Sequence, residues 1–135
     1  MADRHAIAEL LAGYGAANDL RDVALIGDCF TPDGTFLLHI AGGQTIGPLE
    51  PREELVAFFG AAFAAQNDQR RHVVTNVRLL ESDDDRARVE AYLTLIVTDG
   101  GQTTLQSAGR YDAEVVHDGT GWRFRAMTLF LDSPF

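Results

Sequence analysis

The 135-residue sequence predicts an α+β fold, in which three amino-terminal helices pack on one strongly curved, mostly antiparallel sheet of about six strands. Two observations predict it. Apolar residues recur at helical spacing in the first half of the chain, where a strand pair interrupts them, and in long strand-like runs after residue 70. Because three short helices cover only one face of such a sheet, we expect the sheet to curl around them into a cone.

Each predicted helix carries an apolar face. The first covers residues 4–18 with Asp3 as its N-cap, and the second covers about 21–30 with Asp22 as its N-cap. The turn sequence of residues 31–34 is expected to end the second helix. The third helix follows Pro51, which suits a first helical turn, and its apolar residues recur at steps of three and four: Leu55, Phe58, Phe59, Ala62 and Phe63.

The remaining chain reads as strands. A pair at 35–40 and 44–46 precedes the third helix, and four long strands follow it at 71–80, 86–98, 103–116 and 121–131, with Asp- and Gly-rich turns between them. Several of these strands are apolar on both faces, whereas an antiparallel sheet with one solvated face alternates more cleanly. This pattern indicates a second buried surface, most simply a dimer interface, and we expect a homodimer or a higher homo-oligomer.

Composition excludes several classes of function. A formal net charge of −9 argues against nucleic-acid binding, and the absence of lysine excludes Schiff-base chemistry and a P-loop. The lone Cys29 reads as a small buried residue, and no motif has metal-ligand spacing, so we expect no metal and no cofactor. No apolar run is long enough to span a membrane and no secretory leader is visible. We therefore expect one cytoplasmic domain over residues 1–135 with no membrane partner.

Ordered motifs run through nearly the whole chain. Tyr14 is followed by Asp19 and Asp22, and the later pieces are Phe30-Thr31-Pro32-Asp33-Gly34, Arg71-His72-Val73-Val74-Thr75-Asn76-Val77, Gly109-Arg110-Tyr111 and Trp122-Arg123-Phe124. In this order the sequence resembles the SnoaL-like branch of the NTF2-like superfamily. That branch includes scytalone dehydratase, bile-acid 7α-dehydratase, hexachlorocyclohexane dehydrochlorinase, polyketide cyclases and steroid isomerases. The resemblance is specific for the fold and much less so for any one reaction.

The resemblance implies three catalytic residues. His72 matches the histidine that removes a substrate proton in the eliminating members, Asp19 matches its carboxylate partner, and Tyr14 matches a hydroxyl that binds a substrate oxygen. The implied function is a cofactor-independent lyase or isomerase acting on a small hydrophobic, ring-containing molecule. The chain departs from scytalone dehydratase, since Ala91–Val97 and Ser107–Tyr111 contain no His or Asn, and no Tyr stands near Leu38 or His39.

Four further residues are candidates for substrate binding. Asn76 shares the predicted inward parity of His72 and can donate to a substrate oxygen, or it forms a structural hydrogen bond across the sheet. His39 faces either the pocket mouth or solvent. Arg110, on a central strand, either lines the cavity or pairs with a carboxylate of a neighbouring strand. Phe58 is expected to help close the pocket.

Two other functions stay open at this point. His72 can be bound to Asp19 purely to satisfy buried polarity, which leaves a non-catalytic module that binds a small ligand or serves as a dimeric scaffold. The chain can also be a subunit that pairs with a larger oxygenase, as some relatives of the fold do.

Overall fold

The structure, a computed structural model, describes residues 2–134; Met1 and Phe135, which end the predicted domain, lie outside the described residues. These residues form three helices and six strands, as predicted. In chain order they are α1 (Arg4–Leu20), α2 (Val23–Asp28), β1 (Phe30–Ile40), β2 (Thr45–Leu49), α3 (Arg52–Ala64), β3 (Gln69–Ser82), β4 (Arg86–Asp99), β5 (Gln102–His117) and β6 (Trp122–Leu131).

The six strands form one sheet in the order β2-β1-β6-β5-β4-β3. Every neighbouring pair is antiparallel except β1 and β6, which run parallel. Strands β3 to β6 form a meander, and β1 lies beside β6 on the edge that β5 does not occupy. The predicted α+β architecture, with a mostly antiparallel sheet of six strands, is therefore confirmed.

Local chemistry accounts for where the helices begin. The Asp3 side chain accepts a hydrogen bond from the Ala6 amide, and Asp22 accepts one from the Leu25 amide, so both predicted N-caps are present. Helix α3 begins after Pro51 and has Glu53 and Glu54 in its first turn, where carboxylates suit the helix dipole. Its Leu55, Phe59 and Phe63 face the sheet and are buried.

The turn predicted at residues 31–34 is wrong. Residues 30–34 belong to β1, and the pairing with β6 shifts register between Phe30 and Thr35. The turn-forming residues therefore sit at an irregularity within a strand, because an irregular strand accepts Pro and Gly where a regular ladder does not. As a consequence α2 ends at Asp28, before the predicted boundary.

Register shifts also change which residues face inward. One lies in β3 between Thr75 and Arg78, and another lies between β5 and β6 at Glu114 and Val115. A bulge reverses the alternation beyond it. In β6, Phe124 and Met127 are both buried in the core, although their spacing assigns them to opposite faces. Some apolar residues that the sequence pattern assigns to the outer face of the sheet therefore lie on its inner face, in the core.

No helix among residues 2–134 is long and apolar enough to cross a membrane.

Candidate functional site

A cavity of about 170 Å³ lies between the helices and the inner face of the sheet. Its walls are mainly apolar, with Phe36, Phe59 and Phe63 on one side and Leu93, Leu95 and Leu131 among the strand residues. His72 and Tyr14 also line it. Two larger depressions, of about 400 and 380 Å³, lie near Arg88 and Arg110; both are more open and have more polar linings. The half-open apolar cavity is the one that combines partial shelter from water with a titratable group.

His72 and Asp19 meet at the edge of this cavity. The His72 Nδ1 atom lies 2.7 Å from Asp19 Oδ1, and the His72 backbone N–H donates to the same oxygen at 2.8 Å. The two side chains are only 13% and 14% exposed. An ionised carboxylate only accepts hydrogen bonds, so Nδ1 carries the ring proton and Nε2 keeps its lone pair. Nε2 is then the ring nitrogen left for a molecule in the cavity.

A glycine allows the helix to approach the strand closely enough for this contact. A Cβ atom on Gly15 would lie 3.3 Å from the His72 carbonyl oxygen and 3.6 Å from its Cβ. Asp19 follows Gly15 by four residues and therefore lies on the same face of α1. The close approach of α1 to β3 at Gly15 brings the Asp19 carboxylate to His72.

Burial keeps His72 a neutral base. Desolvation lowers the pKa of His72 below its ordinary value of 6.5, and the hydrogen bond and charge of Asp19 oppose this effect in part. Arg70, which also lines the cavity, lowers the pKa slightly further. The imidazole is therefore unprotonated at neutral pH, the state that a general base requires.

Tyr14 lines the cavity from within a cluster of aromatic rings. It is 2% exposed and makes edge-on contacts with Phe30, Phe59, Tyr111 and Phe124 at centroid distances of 5.6–6.2 Å. Burial raises the pKa of its phenol well above the ordinary value, so the hydroxyl stays protonated. It can therefore donate a hydrogen bond to a ligand oxygen but cannot serve as a base near neutral pH.

Of the four predicted substrate-binding residues, one lines the cavity from α3, and the other three lie on strands and do not line it. Phe58 lines the cavity. Asn76 is exposed in a left-handed conformation (φ 57°) at the β3 bulge and does not share the face of His72. The predicted contact of Asn76 with a cavity ligand is corrected by this bulge, which reverses the alternation after Thr75.

The predicted contacts of His39 and Arg110 with a cavity ligand are also corrected, because both residues lie on the outer face of the sheet. His39 stacks on Phe130 at 5.1 Å and its Nδ1 lies 3.0 Å from Thr45 Oγ1. The Arg110 guanidinium lies 4.4 Å from the centroid of the same Phe130 ring and pairs with Glu90 at 3.3 Å. Arg110 thus follows the alternative in which it pairs with a carboxylate of a neighbouring strand.

Sequence reasoning missed several polar residues of the cavity. Asn18, Gln66, Arg70 and Ser107 line it, together with the fully buried Tyr111. Asn18 donates to the Tyr14 carbonyl at 2.9 Å, and Arg70 pairs with Asp68 at 2.9 Å. Ser107 could have been found, since it is a polar residue at an inward position of β5 otherwise occupied by Gly, Tyr, Ala and Val. Gln66 lies beyond the end of α3, where no periodic signal exists.

Among residues 2–134 no three His, Cys, Asp or Glu side chains form a group that could hold a metal ion.

Comparison with known proteins identifies the family. A family model described as a SnoaL-like domain matches residues 1–128. No curated protein matches the chain.

Solved structures share the fold at low sequence identity. A chain from Novosphingobium aromaticivorans, provisionally named the beta subunit of an aromatic-ring-hydroxylating dioxygenase, superposes with a TM-score of 0.82 at 20% identity, covering 98% of this chain and 90% of that one. A second chain from that organism, provisionally named an aromatic ring hydroxylase, gives 0.76 at 27% identity with the same coverage. A third, provisionally named a scytalone dehydratase, gives 0.75 at 16% identity over 94% of this chain and 82% of that one.

Proposed function

This chain belongs to the SnoaL-like domain family, and on that basis we propose that it is a cofactor-independent lyase or isomerase acting on a small hydrophobic ring compound. The observation that carries the proposal is the 2.7 Å contact of His72 Nδ1 with Asp19 beside a half-open apolar cavity. This contact gives His72 a fixed tautomer and leaves Nε2 as an unprotonated base.

The proposed first step is abstraction of an acidic C–H proton by His72 Nε2. The electron pair of that bond is delocalised toward the activating carbonyl oxygen, and the Tyr14 hydroxyl donates a hydrogen bond to that oxygen. The Asp19 carboxylate stabilises the imidazolium that forms. In elimination the electron pair forms a carbon–carbon double bond, and the imidazolium returns its proton to the hydroxyl, which leaves as water. In isomerisation the imidazolium returns the proton to another carbon.

Hydrogen–deuterium exchange tests the step without knowledge of the natural substrate. Cyclohexanone and 3-hydroxycyclohexanone in D₂O, followed by NMR, report proton abstraction and loss of water. His72→Asn should lower the enzyme-dependent rate by roughly 10²–10⁴-fold, because a positioned general base contributes about that factor. Asn keeps a side-chain N–H for Asp19 but has no titratable nitrogen. His5→Asn, at an exposed position of α1, is the matched control. Full exchange in the His72→Asn protein would show that His72 is not the base.

The alternative is a non-catalytic module that binds a small ligand. The His72–Asp19 pair also satisfies two partly buried polar groups, which is sufficient reason for it to exist without chemistry. This function predicts that the probe ketones bind, detected by shifts in their NMR signals, without faster exchange. The alternative that the chain is an oxygenase subunit is supported by the similarity of its fold to the named beta subunit. It predicts that a larger partner co-purifies with the chain.

We also propose that the outer face of the sheet binds a second copy of the chain. Tyr92 and Leu105 are 49% and 69% exposed there. The net charge of −9 would repel a second copy, but this face carries both signs in alternation: Arg78, Arg86, Arg88, Arg110, Glu90, Asp112 and Glu114. Light scattering should give twice the monomer mass for the wild type and the monomer mass for Tyr92→Asp. A monomeric wild type would contradict the proposal.

A further inference from the structure

Two buried polar atoms, on residues that line the cavity, have no hydrogen-bond partner among residues 2–134. They are Ser107 Oγ and Gln66 Oε1. Ser107 is 4% exposed, and both residues line the cavity that holds His72. A buried polar group without a partner costs free energy, so such groups in a folded protein call for a partner outside the chain.

The pairing of the strands places Ser107 across the sheet from His72. His72 pairs with Leu95 on β4, and Leu95 pairs with Ser107 on β5, so the three residues form one rung of the inner face. Two strand spacings separate His72 from Ser107, roughly 10 Å between backbones. Leu95 forms the apolar floor between them. Gln66 approaches the same cavity from the segment that follows α3.

The size of the cavity limits the ligand. A cavity of about 150 Å³ accommodates benzene, and this one is about 170 Å³. One six-membered ring with small substituents fills such a space. A ring lying on Leu95 would present one edge to His72 and the opposite edge to Ser107.

We propose that Ser107 and Gln66 form a second polar pole of the cavity, which recognises a neutral hydroxyl substituent on a single-ring ligand, opposite the edge that faces His72. A hydroxyl suits both partners, because it accepts from the Ser107 hydroxyl and donates to the Gln66 carbonyl. An anionic group suits them less well, since Arg70, the cation at this cavity, is already paired with Asp68. This inference rests on the proposed function for the role of His72 and adds the substrate class.

A matched pair of phenols tests the second pole by binding alone. The probes are 4-methylphenol and 4-hydroxybenzyl alcohol, which differ by one hydroxyl at the end away from the phenol. Titration calorimetry should show the wild type binding 4-hydroxybenzyl alcohol at least about fivefold more tightly, because it satisfies otherwise unpaired buried groups. Ser107→Ala and Gln66→Met should each reduce this preference, and the double variant should abolish it. Ser82→Ala, at an exposed position of β3, is the control and should retain it.

Folding and binding can be separated in these variants. Ser107 Oγ makes no hydrogen bond within the described part of the chain, so Ser107→Ala should unfold at the same temperature as the wild type or higher. His72→Asn should retain the preference for the second hydroxyl while losing proton abstraction, so the two proposals fail independently. Equal affinity of the two phenols for the wild type would overturn the inference. So would an unchanged preference in the double variant, or the absence of binding up to about 10 mM, well above the 1 mM range of weak ligands.

Discussion

Asp19 supplies His72 with a charge as well as a hydrogen-bond acceptor, and the two contributions can be separated. Asp19→Asn keeps a side-chain oxygen for both His72 N–H groups and removes the charge. Because the carboxylate raises the pKa of His72, its loss should lower that pKa further. We expect the ring titration, followed by NMR, to move to lower pH. Exchange of cyclohexanone should slow by about 10-fold or more, since the imidazolium loses its counter-charge.

The control for this change is Asp22→Asn, the same substitution at the N-cap of α2, where Asn caps about as well as Asp. It should leave both the His72 titration and the exchange rate unchanged. A His72 pKa that rises in Asp19→Asn would contradict the assigned role of the carboxylate.

Site residues that belong to a sequence motif can be predicted, whereas residues placed only by strand alternation or tertiary packing cannot. His72, Asp19 and Tyr14 stand in ordered motifs, and the structure brings all three to one cavity edge or wall. Their catalytic role stays a prediction. The predicted inward position of Asn76 depends on the alternation of side chains along β3, and this alternation is reversed beyond a bulge. Gln66 lies in an irregular segment, where position depends on tertiary packing alone.

At the scale of elements, the packing of α1 on β3 sets the geometry of the site. Gly15→Ala places a methyl group 3.3 Å from the His72 carbonyl, so the helix and strand must separate by a few tenths of an ångström. We expect a loss of about 10-fold in proton exchange. Stability should change by less than about 1 kcal/mol, because the gain in helix propensity offsets the crowding.

Gly13→Ala, on the same helix, is the matched control, because a Cβ atom at Gly13 would have no neighbouring atom within 4 Å. It should raise the unfolding temperature and leave exchange unchanged. If both variants behaved alike, the close approach at Gly15 would have no part in positioning His72.

The elements themselves were largely predictable because their periods are strong. The four long strands were located to within two residues at either end, and both Asp N-caps were identified. The failures concern irregular backbone. Pro32 and Gly34 indicated a turn but occupy a strand at a register shift, and the bulge in β6 turns Phe124 and Met127 to one face. A bulge depends on pairing with a neighbouring strand, which a local pattern does not contain.

At the scale of the whole molecule, the lowered pKa of His72 makes folding stability depend on pH. Below the ordinary value of 6.5 the unfolded chain binds a proton that the folded chain resists, so this group's contribution is full above about pH 6.5 and is lost as pH falls through the folded pKa. The unfolding temperature should therefore fall less in His72→Asn than in the wild type between about pH 7.5 and pH 5.5. Calorimetry of both proteins isolates this term from the carboxylates, which are common to both. Identical falls would show that the pKa of His72 is not lowered by folding.

Asp19 Oδ1 accepts two hydrogen bonds from His72, and both are lost if α1 separates locally from β3. The same oxygen holds the backbone amide and the ring of His72, so separation of α1 from β3 releases both together. The His72 ring is therefore oriented only while α1 is packed on β3. The same opening of α1 from β3 that frees the ring also exposes the His72 backbone amide to exchange with solvent. The exchange protection of the single His72 amide proton is therefore a direct measure of the fraction of molecules whose site is assembled, well below the temperature at which the rest of the sheet unfolds.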